Sequence, residues 1–418
     1  MLKDIKDRIY RLIKWSEKYT KTDMVYLARG GSWLLLGQFF ASSSALVMSI
    51  VFANYLPKET YGTYKFILSI CSILAIPSLG GMGTAVTQAI SQNKDKVFFQ
   101  ALRARLTWGI LGGLGSVLLS GYYLYNQQTE LAIAFLVVAV FIPLSDSLSL
   151  YGSLLGGKKD FKTSTRYDIL SQIISASILL LTVIFTGNLY LLLLAYFSSW
   201  TILRFIFLRL TLRRYKLNNI SDPEALTYGK HLSLMGILGM VASQVDKILI
   251  YHYLGPTELA VYSFAIAIPE QIRGVYKLSY GLALPKFSVF TDKEALKKSL
   301  IAKIRILTVL AGTIVVLYLF SAPLIYKFIF PNYISSIPYS RLFIFGLLLI
   351  PGADLLAMYF NVTKNIKILY RINNYPNFLA IIYSFVFIGL FGVTGAIIKT
   401  LVFWLTILAL NFYYFRKE

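Results

Sequence analysis

The sequence predicts an all-α, polytopic membrane protein with about twelve transmembrane helices in two pseudo-symmetric six-helix lobes. The 418 residues are 57% hydrophobic and only 14% charged, whereas a soluble domain carries about 25% charged residues. Apolar runs of roughly 20 residues, long enough to cross about 30 Å of hydrocarbon as helices, recur along the chain. Basic residues occupy alternate connections between these runs, and the second half of the chain repeats features of the first.

The apolar runs place the predicted spans. Their boundaries divide the chain into a basic amphipathic segment (1–29), an amino-terminal lobe (30–210), a cytoplasmic linker (211–230) and a carboxy-terminal lobe (231–418). The first six spans lie near Gly31–Asn54, Tyr64–Ala85, Leu106–Tyr125, Leu131–Tyr151, Ile169–Thr186 and Leu189–Leu208. The second six lie near Leu232–Tyr253, Leu259–Leu282, Ile304–Ser321, Leu342–Phe360, Phe378–Phe391 and Ala396–Phe415.

The distribution of basic residues predicts the orientation. Most of the 41 Lys and Arg lie in the amino-terminal segment, in every second connection and at the carboxyl terminus. Positive residues mark the cytoplasmic face, so both termini are expected to be cytoplasmic. The net charge of +22 then reflects topology and predicts no nucleic-acid partner. The segment 1–29 is expected either to lie on the membrane as an interfacial helix or only to supply this charge.

The sequence lacks the residues that several functional classes require. There is no phosphate-binding loop for nucleotide hydrolysis. Cys71 is the only cysteine, and His231 and His252 are the only histidines, so no metal site and no bound cofactor are expected. The predicted outer connections are too short to hold an extracytoplasmic domain, which argues against an enzyme that acts there.

The start of the second half resembles the start of the first. When Tyr55 is aligned on Tyr253, Tyr64 falls on Tyr262 and Phe66 on Phe264 without a gap. Chance similarity between apolar segments is the alternative explanation. Because the first and seventh spans both run outward, the match favours a parallel repeat, and transporters with two such halves bind their cargo between them.

Charged residues within the predicted spans are the candidate site. A charge at the bilayer centre costs roughly 2.5–3.5 kcal/mol on insertion scales, so such groups face a partner or a hydrated cavity. In one interpretation the cations line a cavity for an anionic phosphate or pyrophosphate headgroup. In the other they form structural ion pairs, such as Glu270 with Arg273. The candidate substrate-binding residues are Lys65, Lys247, Arg273, Lys277 and Lys399, and the candidates for ion coupling or charge pairing are Asp146, Asp246, Glu270 and Asp354.

Several stretches resemble a known family. "SQVDKILIYHYLGPTELAVYSFA", beginning at Ser243, resembles the corresponding stretch of the polysaccharide-biosynthesis or Wzx-type oligosaccharide (O-antigen) flippases. These belong to the multidrug/oligosaccharidyl-lipid/polysaccharide (MOP) exporter superfamily. "ANYLPKETYGTYKF", "LGGMGTAVTQAIS", "SLLGGKKDFK" and "FGVTGAIIKTL" support the resemblance. Within its motif, Asp246 and Lys247 match the charged opening of the seventh helix.

The resemblance implies a function for the cavity. It implies that undecaprenyl-diphosphate-linked oligosaccharide moves by alternating access to the outer leaflet of a bacterial inner membrane, coupled to H⁺, Na⁺ or the membrane potential. The implied partners are this polyprenyl-diphosphate glycan, membrane lipid and glycan polymerase or export proteins. An ion-coupled multidrug-type exporter is the alternative, and a membrane polysaccharide polymerase is a further one.

Overall fold

The computed structural model describes residues 24–287, 292–363 and 365–418, and every regular element in these ranges is helical. The segment 1–23, for which an interfacial helix is one sequence prediction, lies outside the described residues. The first half contains α1 (Met24–Tyr55), α2 (Lys58–Leu74), a 3₁₀ turn (Ile76–Ser78), α3 (Met82–Ser91), α4 (Lys96–Tyr125), α5 (Thr129–Leu148), α6 (Tyr151–Gly157), α7 (Phe161–Phe185) and α8 (Leu189–Arg214). The second half contains α9 (Pro223–Leu254), α10 (Pro256–Phe287), α11 (Lys293–Ile329), a 3₁₀ segment (Pro331–Ser336), α12 (Ile337–Phe343), a 3₁₀ segment (Ile344–Leu348), α13 (Ile350–Val362) and α14 (Ile366–Lys417).

Many of these helices are suited to a membrane. Eight segments of the described chain are long and apolar enough to span one, and a ninth results if α2 and α3, bent by 44° relative to each other, count as one span. Helices α4 and α10, which correspond to the predicted third and eighth spans, are not among these segments. Large apolar side chains point outward, as lipid contact requires: Leu118, Phe320 and Phe328 are 75%, 78% and 77% exposed. The described helices therefore form a multi-pass membrane protein.

The final two predicted spans are joined without a loop. Helix α14 is assigned continuously over 52 residues, but Gly392 has φ 56° and ψ −132°, which divides it into two helices. Only glycine adopts such a conformation readily, because it has no Cβ. The uncharged connection expected between these spans is therefore a break at a single residue.

Polar side chains define where several helices begin. Asn188, at the start of α8, accepts hydrogen bonds from the backbone N–H groups of Tyr190 and Leu191. Asp222 accepts one from Ala225 at the start of α9, where Pro223 occupies the first helical position. Such caps satisfy N–H groups that the helix itself leaves unpaired. The α9 cap also explains why the non-helical connection is only 215–222, shorter than the linker expected from sequence.

The two halves contact each other through few helices. Helices α2 and α3 pack against α9 and α10. At one end of the molecule Phe66 stacks on Tyr251 with ring centroids 3.9 Å apart, and a methyl group on Gly62 would overlap the Pro256 carbonyl. Near the linker, the Gly81 N–H donates to the Ser233 hydroxyl at 3.0 Å. The halves therefore touch at both ends, and the charged residues lie between these two contacts.

The linker is bound to the first half. The Asp95 carboxylate accepts hydrogen bonds from Lys158 at 2.8 and 3.0 Å and from the Asn218 backbone N–H at 3.2 Å. Lys94 forms an ion pair with Asp222 at 2.6 Å. The hydrogen bond from Lys94 lowers the pKa of Asp222 below its usual value. These contacts hold the first turn of α9 against two basic connections of the first half, which the charge pattern predicts to be cytoplasmic.

Candidate functional site

A polar cavity of about 460 Å³ lies in the second half of the protein. Its wall is formed by α9, α10, α12 and α14, and it mixes ionic, amide and aromatic side chains. The ionic side chains are Asp246, Lys247, Glu270, Arg273 and Lys399, the amides are Gln244 and Asn377, and the aromatic rings are Tyr262, Phe343, Phe403 and Trp404. Three of the five substrate-binding cations predicted from the sequence, Lys247, Arg273 and Lys399, line this cavity. Lys65 does not line it.

Asp246 and Lys399 form a buried ion pair. The Lys399 Nζ atom lies 2.6 Å from Asp246 Oδ1 and 3.4 Å from the Ala242 carbonyl oxygen. Ser384 donates a hydrogen bond to the same carboxylate oxygen at 2.9 Å, and the Tyr262 hydroxyl donates to Oδ2 at 3.4 Å. Asp246 and Lys399 are only 6% and 4% exposed. The pair joins α9 to α14, and Lys399 is therefore not a free cation in this state.

Arg273 is also paired. Its Nη1 atom lies 3.0 and 3.3 Å from the two carboxylate oxygens of Glu270, one helical turn earlier on α10. The guanidinium also lies 5.0 Å from the centroid of the Trp404 ring. This is the self-paired arrangement that the i, i+3 spacing allowed. The side chain of Lys277, the next candidate on this helix, lies outside the described residues.

Lys65 and Lys247 remain without a carboxylate contact within the described ranges. Both are half-buried. Lys247 donates a hydrogen bond to the neutral side chain of Gln244 at 3.0 Å, and Lys65 lies 5.4 Å from the centroid of the Tyr61 ring. The charge of Lys65, on α2 of the first half, also acts on Lys247. The carboxylates of Asp246 and Glu270 also act on Lys247, without contacting it.

The other predicted acidic residues lie elsewhere. Asp146 is in the first half, where its carboxylate is 3.9 Å from Arg204, whose guanidinium also donates to the Ser145 carbonyl at 2.6 Å. Asp354 is on α13 and is not among the residues that line the cavity. The structure therefore brings Asp246 and Glu270 together and separates Asp146 and Asp354 from them.

Some polar residues were missed at the sequence level. Arg105 is only 5% exposed, and its Nε donates to the Ser78 carbonyl at 3.0 Å, where the helix α2–α3 is broken. Its position beside the predicted span at Leu106 could have indicated burial. Ser384 and Asn377 gave no comparable signal, because uncharged polar residues are common in membrane helices and their role depends on which helices meet.

The described helices have the fold of solved membrane transporters. Among solved structures, the Lipid II flippase MurJ in an inward closed conformation matches with TM-score 0.68 and 14% identity, over 91% of this chain and 86% of that one. The inward-facing conformation of a multidrug resistance MATE family transporter matches with TM-score 0.64 and 14% identity, over 91% and 94%. At these identities the likeness establishes the fold.

The sequence identifies the family. The profile described as "Polysaccharide biosynthesis protein" matches residues 27–291, and this chain belongs to that family. An uncharacterized membrane protein of Methanocaldococcus jannaschii is 20% identical over 411 residues, which cover 89% of this chain and 80% of that protein. The resemblance stated from the motifs and the all-α transporter fold are thereby confirmed.

Proposed function

We propose that this protein is a flippase that moves a polyprenyl-diphosphate-linked glycan from the cytoplasmic to the outer leaflet. The observation that carries the proposal is the pair of Lys65 and Lys247. Lys65 lies on α2 of the first half, Lys247 lines the cavity of the second half, and neither contacts a carboxylate among the described residues. The family to which the chain belongs and the flippase fold support the same conclusion.

The physical argument concerns how this charge is neutralised. Partly buried like charges repel each other, and a dianionic diphosphate placed between them would remove that repulsion. Lysine presents a mobile ammonium with three donors, which suits phosphate oxygens. Because Lys65 belongs to α2 and Lys247 to α9, a bound diphosphate would bridge the two halves. Headgroup binding would then favour the state in which the halves are closed around it.

The neutral part of the cavity suits a glycan. Gln244 and Asn377 present amide groups that can exchange hydrogen bonds with sugar hydroxyls,. Both lie on the wall that also carries Lys247. The lipid tail would remain in the bilayer between helices, because an apolar chain gains nothing by entering a polar space.

The alternative is an ion-coupled exporter of small molecules, for which the MATE fold is equally suitable. Such an exporter for cationic compounds requires surplus negative charge in its cavity. Here Lys247, Arg273 and Lys399 outnumber Asp246 and Glu270 among the charged residues that line the cavity, and Lys65 adds a positive charge that acts on Lys247 from α2. Charge therefore favours an anionic cargo, and a polymerase is disfavoured because the predicted outer connections are too short to hold catalytic groups.

We also infer the setting of the transport cycle. Both termini and the linker lie on the cytoplasmic side of a bacterial inner membrane, and the cycle draws on a gradient of H⁺ or Na⁺ or on the membrane potential. Polymerase or export proteins of glycan assembly would receive the product. The distribution of basic residues supports this orientation,.

The proposal is tested with purified protein in liposomes that contain a fluorescent polyprenyl-diphosphate disaccharide. Quenching by dithionite reports the fraction that has reached the outer leaflet. We expect Lys65→Ala and Lys247→Ala each to slow translocation about 10-fold, the effect of losing roughly 1.4 kcal/mol of charge-assisted binding.

Lys58→Ala is the matched control. Lys58 lies two helical turns before Lys65 on α2, and its ammonium is likewise 5.4 Å from a tyrosine ring, that of Tyr333. Translocation by Lys58→Ala should match the wild type. Normal translocation by Lys65→Ala and Lys247→Ala, or transport of a lipophilic cation in place of the diphosphate lipid, would contradict the proposal.

A further inference from the structure

We propose that Asp246 is a positioning residue for a third substrate-binding cation, Lys399, and that diphosphate binding transfers Lys399 from Asp246 to the ligand while Asp246 takes up a proton. This inference rests on the proposed function, since it concerns the same anion site. It assigns a second role to the buried ion pair and links headgroup binding to proton uptake.

The position of the pair is the first part of the argument. Asp246 and Lys399 line the same cavity as Lys247, and Asp246 precedes Lys247 directly in α9. Lys399 also acts electrostatically on Lys247. A diphosphate bound at Lys247 would therefore lie within the field of the Lys399 ammonium, with only Asp246 competing for it.

The hydrogen bonds of Lys399 show that it can be shared. Its ammonium has three N–H donors. One contact is short, to Asp246 at 2.6 Å, and the other is long, to the Ala242 carbonyl at 3.4 Å. The long contact is weak by geometric criteria. One donor is thus uncommitted, and the four-carbon stem allows the ammonium to turn toward an anion that carries more charge than one carboxylate.

The consequence for Asp246 follows from its burial. Without Lys399, the carboxylate keeps only the hydrogen bonds from Ser384 and Tyr262. A buried carboxylate without a counter-ion is costly, and such a group becomes neutral by protonation. The step adds one proton to a carboxylate oxygen, forms one O–H bond and breaks no covalent bond. The net charge of the protein rises by one as the anion enters.

The charged neighbours do not offer Asp246 another partner. Lys247 lies beside it on α9 and would be engaged by the diphosphate. On α10, Arg273 is held by Glu270, and Tyr262 already donates to Asp246. From α2, Lys65 acts electrostatically on Lys247 and belongs to the proposed anion site. Among these groups, a proton is the remaining source of neutralisation.

The experiment measures proton uptake on binding. Farnesyl diphosphate, a short polyprenyl diphosphate, is titrated into the detergent-solubilised full chain, and the heat of binding is measured in buffers of different ionisation enthalpy. The pH is set above the last ionisation of the probe, so that uptake by the ligand itself is small. Wild-type protein should take up about one proton per bound diphosphate. Asp246→Asn should bind the probe with no such uptake.

The variants separate this inference from the proposed function. Lys399→Gln should weaken probe binding about 10-fold and also abolish uptake. The double variant D246N/K399Q leaves no uncompensated buried charge and should be folded even if a single variant is not. It should behave like Lys399→Gln. Glu270→Gln removes the other carboxylate of the cavity and should leave proton uptake intact.

Two results would overturn the inference while leaving the flippase proposal in place. One is tight binding by wild-type protein without proton uptake. The other is uptake that persists in Asp246→Asn and is lost in Glu270→Gln. If wild-type protein fails to bind farnesyl diphosphate at all, the proposed function itself is contradicted, and this inference falls with it.

Discussion

At the scale of single residues, the cations of this protein have two different surroundings. Arg273 and Lys399 are held by carboxylates at 3.0 and 2.6 Å. Lys65 and Lys247 contact only a ring and an amide, respectively. A buried ion pair adds little to the stability of a protein, but removing one partner strongly destabilises the protein. The unpaired cations are therefore the better candidates for binding an external anion.

The sequence could predict only one of the two ion pairs. Glu270 and Arg273 are three residues apart in a helix, so their contact follows from helical geometry. Asp246 and Lys399 are separated by 153 residues. Their contact depends on α9 lying against α14, which local periodicity does not specify. For the same reason, the sequence predicted which cations lie within the spans but not which of them lack a carboxylate partner.

Gly392 provides a prediction about a single position. Its φ of 56° and ψ of −132° are unfavourable for any residue with a Cβ,. Gly392→Ala should therefore lower the free energy of unfolding by about 1–3 kcal/mol. The loss should be visible as a lower midpoint of thermal unfolding in detergent.

Gly389→Ala is the control for this substitution. Gly389 lies in the same long helical segment, has ordinary dihedrals, and a methyl group there would meet nothing within 4 Å. Alanine is favoured over glycine inside a helix, so Gly389→Ala should be neutral or slightly stabilising. Equal midpoints for the two variants would contradict the assignment of strain to Gly392.

At the scale of elements, the helices were largely predictable and their ends less so. Apolar runs marked α5, α7 and α8 because a span must present apolar side chains to lipid. The span predicted near Leu342–Phe360 is interrupted, because the 3₁₀ segment Ile344–Leu348 separates α12 from α13. Just before it, the Ser336 hydroxyl donates to the Val261 carbonyl at 2.9 Å, a tertiary contact that composition does not reveal.

The junction of the linker and α9 provides a pH-dependent prediction. The pKa of Asp222 is lowered by the hydrogen bond from Lys94. Its contribution to stability is therefore fully present above the ordinary pKa of an aspartate, about 4, and is lost as the pH falls through the lower value in the folded protein. Wild-type protein should unfold at a higher temperature than Asp222→Asn at neutral pH, and this difference should shrink as the pH falls below about 4.

Asparagine is the informative replacement at this position. It can still cap α9, so Asp222→Asn removes the charge and keeps the cap. Lys94→Gln should reproduce the effect, whereas Lys96→Gln, an exposed neighbour in the same connection, should not. A difference between wild type and Asp222→Asn that is unchanged by acid would exclude the ion pair as its cause.

At the scale of the whole molecule, the halves contact each other at two separate places in this structure. The stacked rings of Phe66 and Tyr251 lie at one end, and the Gly81–Ser233 hydrogen bond lies near the linker. In the proposed cycle of alternating access, these two contacts open in turn, and the charged cavity lies between them.

The orientation of the molecule is a direct prediction. His252→Cys, exposed at the end of α9, should react with a membrane-impermeant maleimide in intact cells. Lys162→Cys, exposed at the start of α7, should react only after the cells are opened. The single native thiol, Cys71, is buried and should give little background. The reverse labelling pattern would invert the topology and the direction of transport.

The attachment of the linker to the first half has a mechanical consequence. Because Lys94 and Asp95 hold the segment just before α9, we expect the first turn of this helix to stay with the first half when the halves move apart. Helix α9 has 32 residues and is therefore about 48 Å long,. A rotation of about 10° at its base would displace the far tip by about 8 Å. A small rotation at the base of α9, such as one that follows the loss of an ion pair there, would therefore separate the aromatic rings at its opposite end.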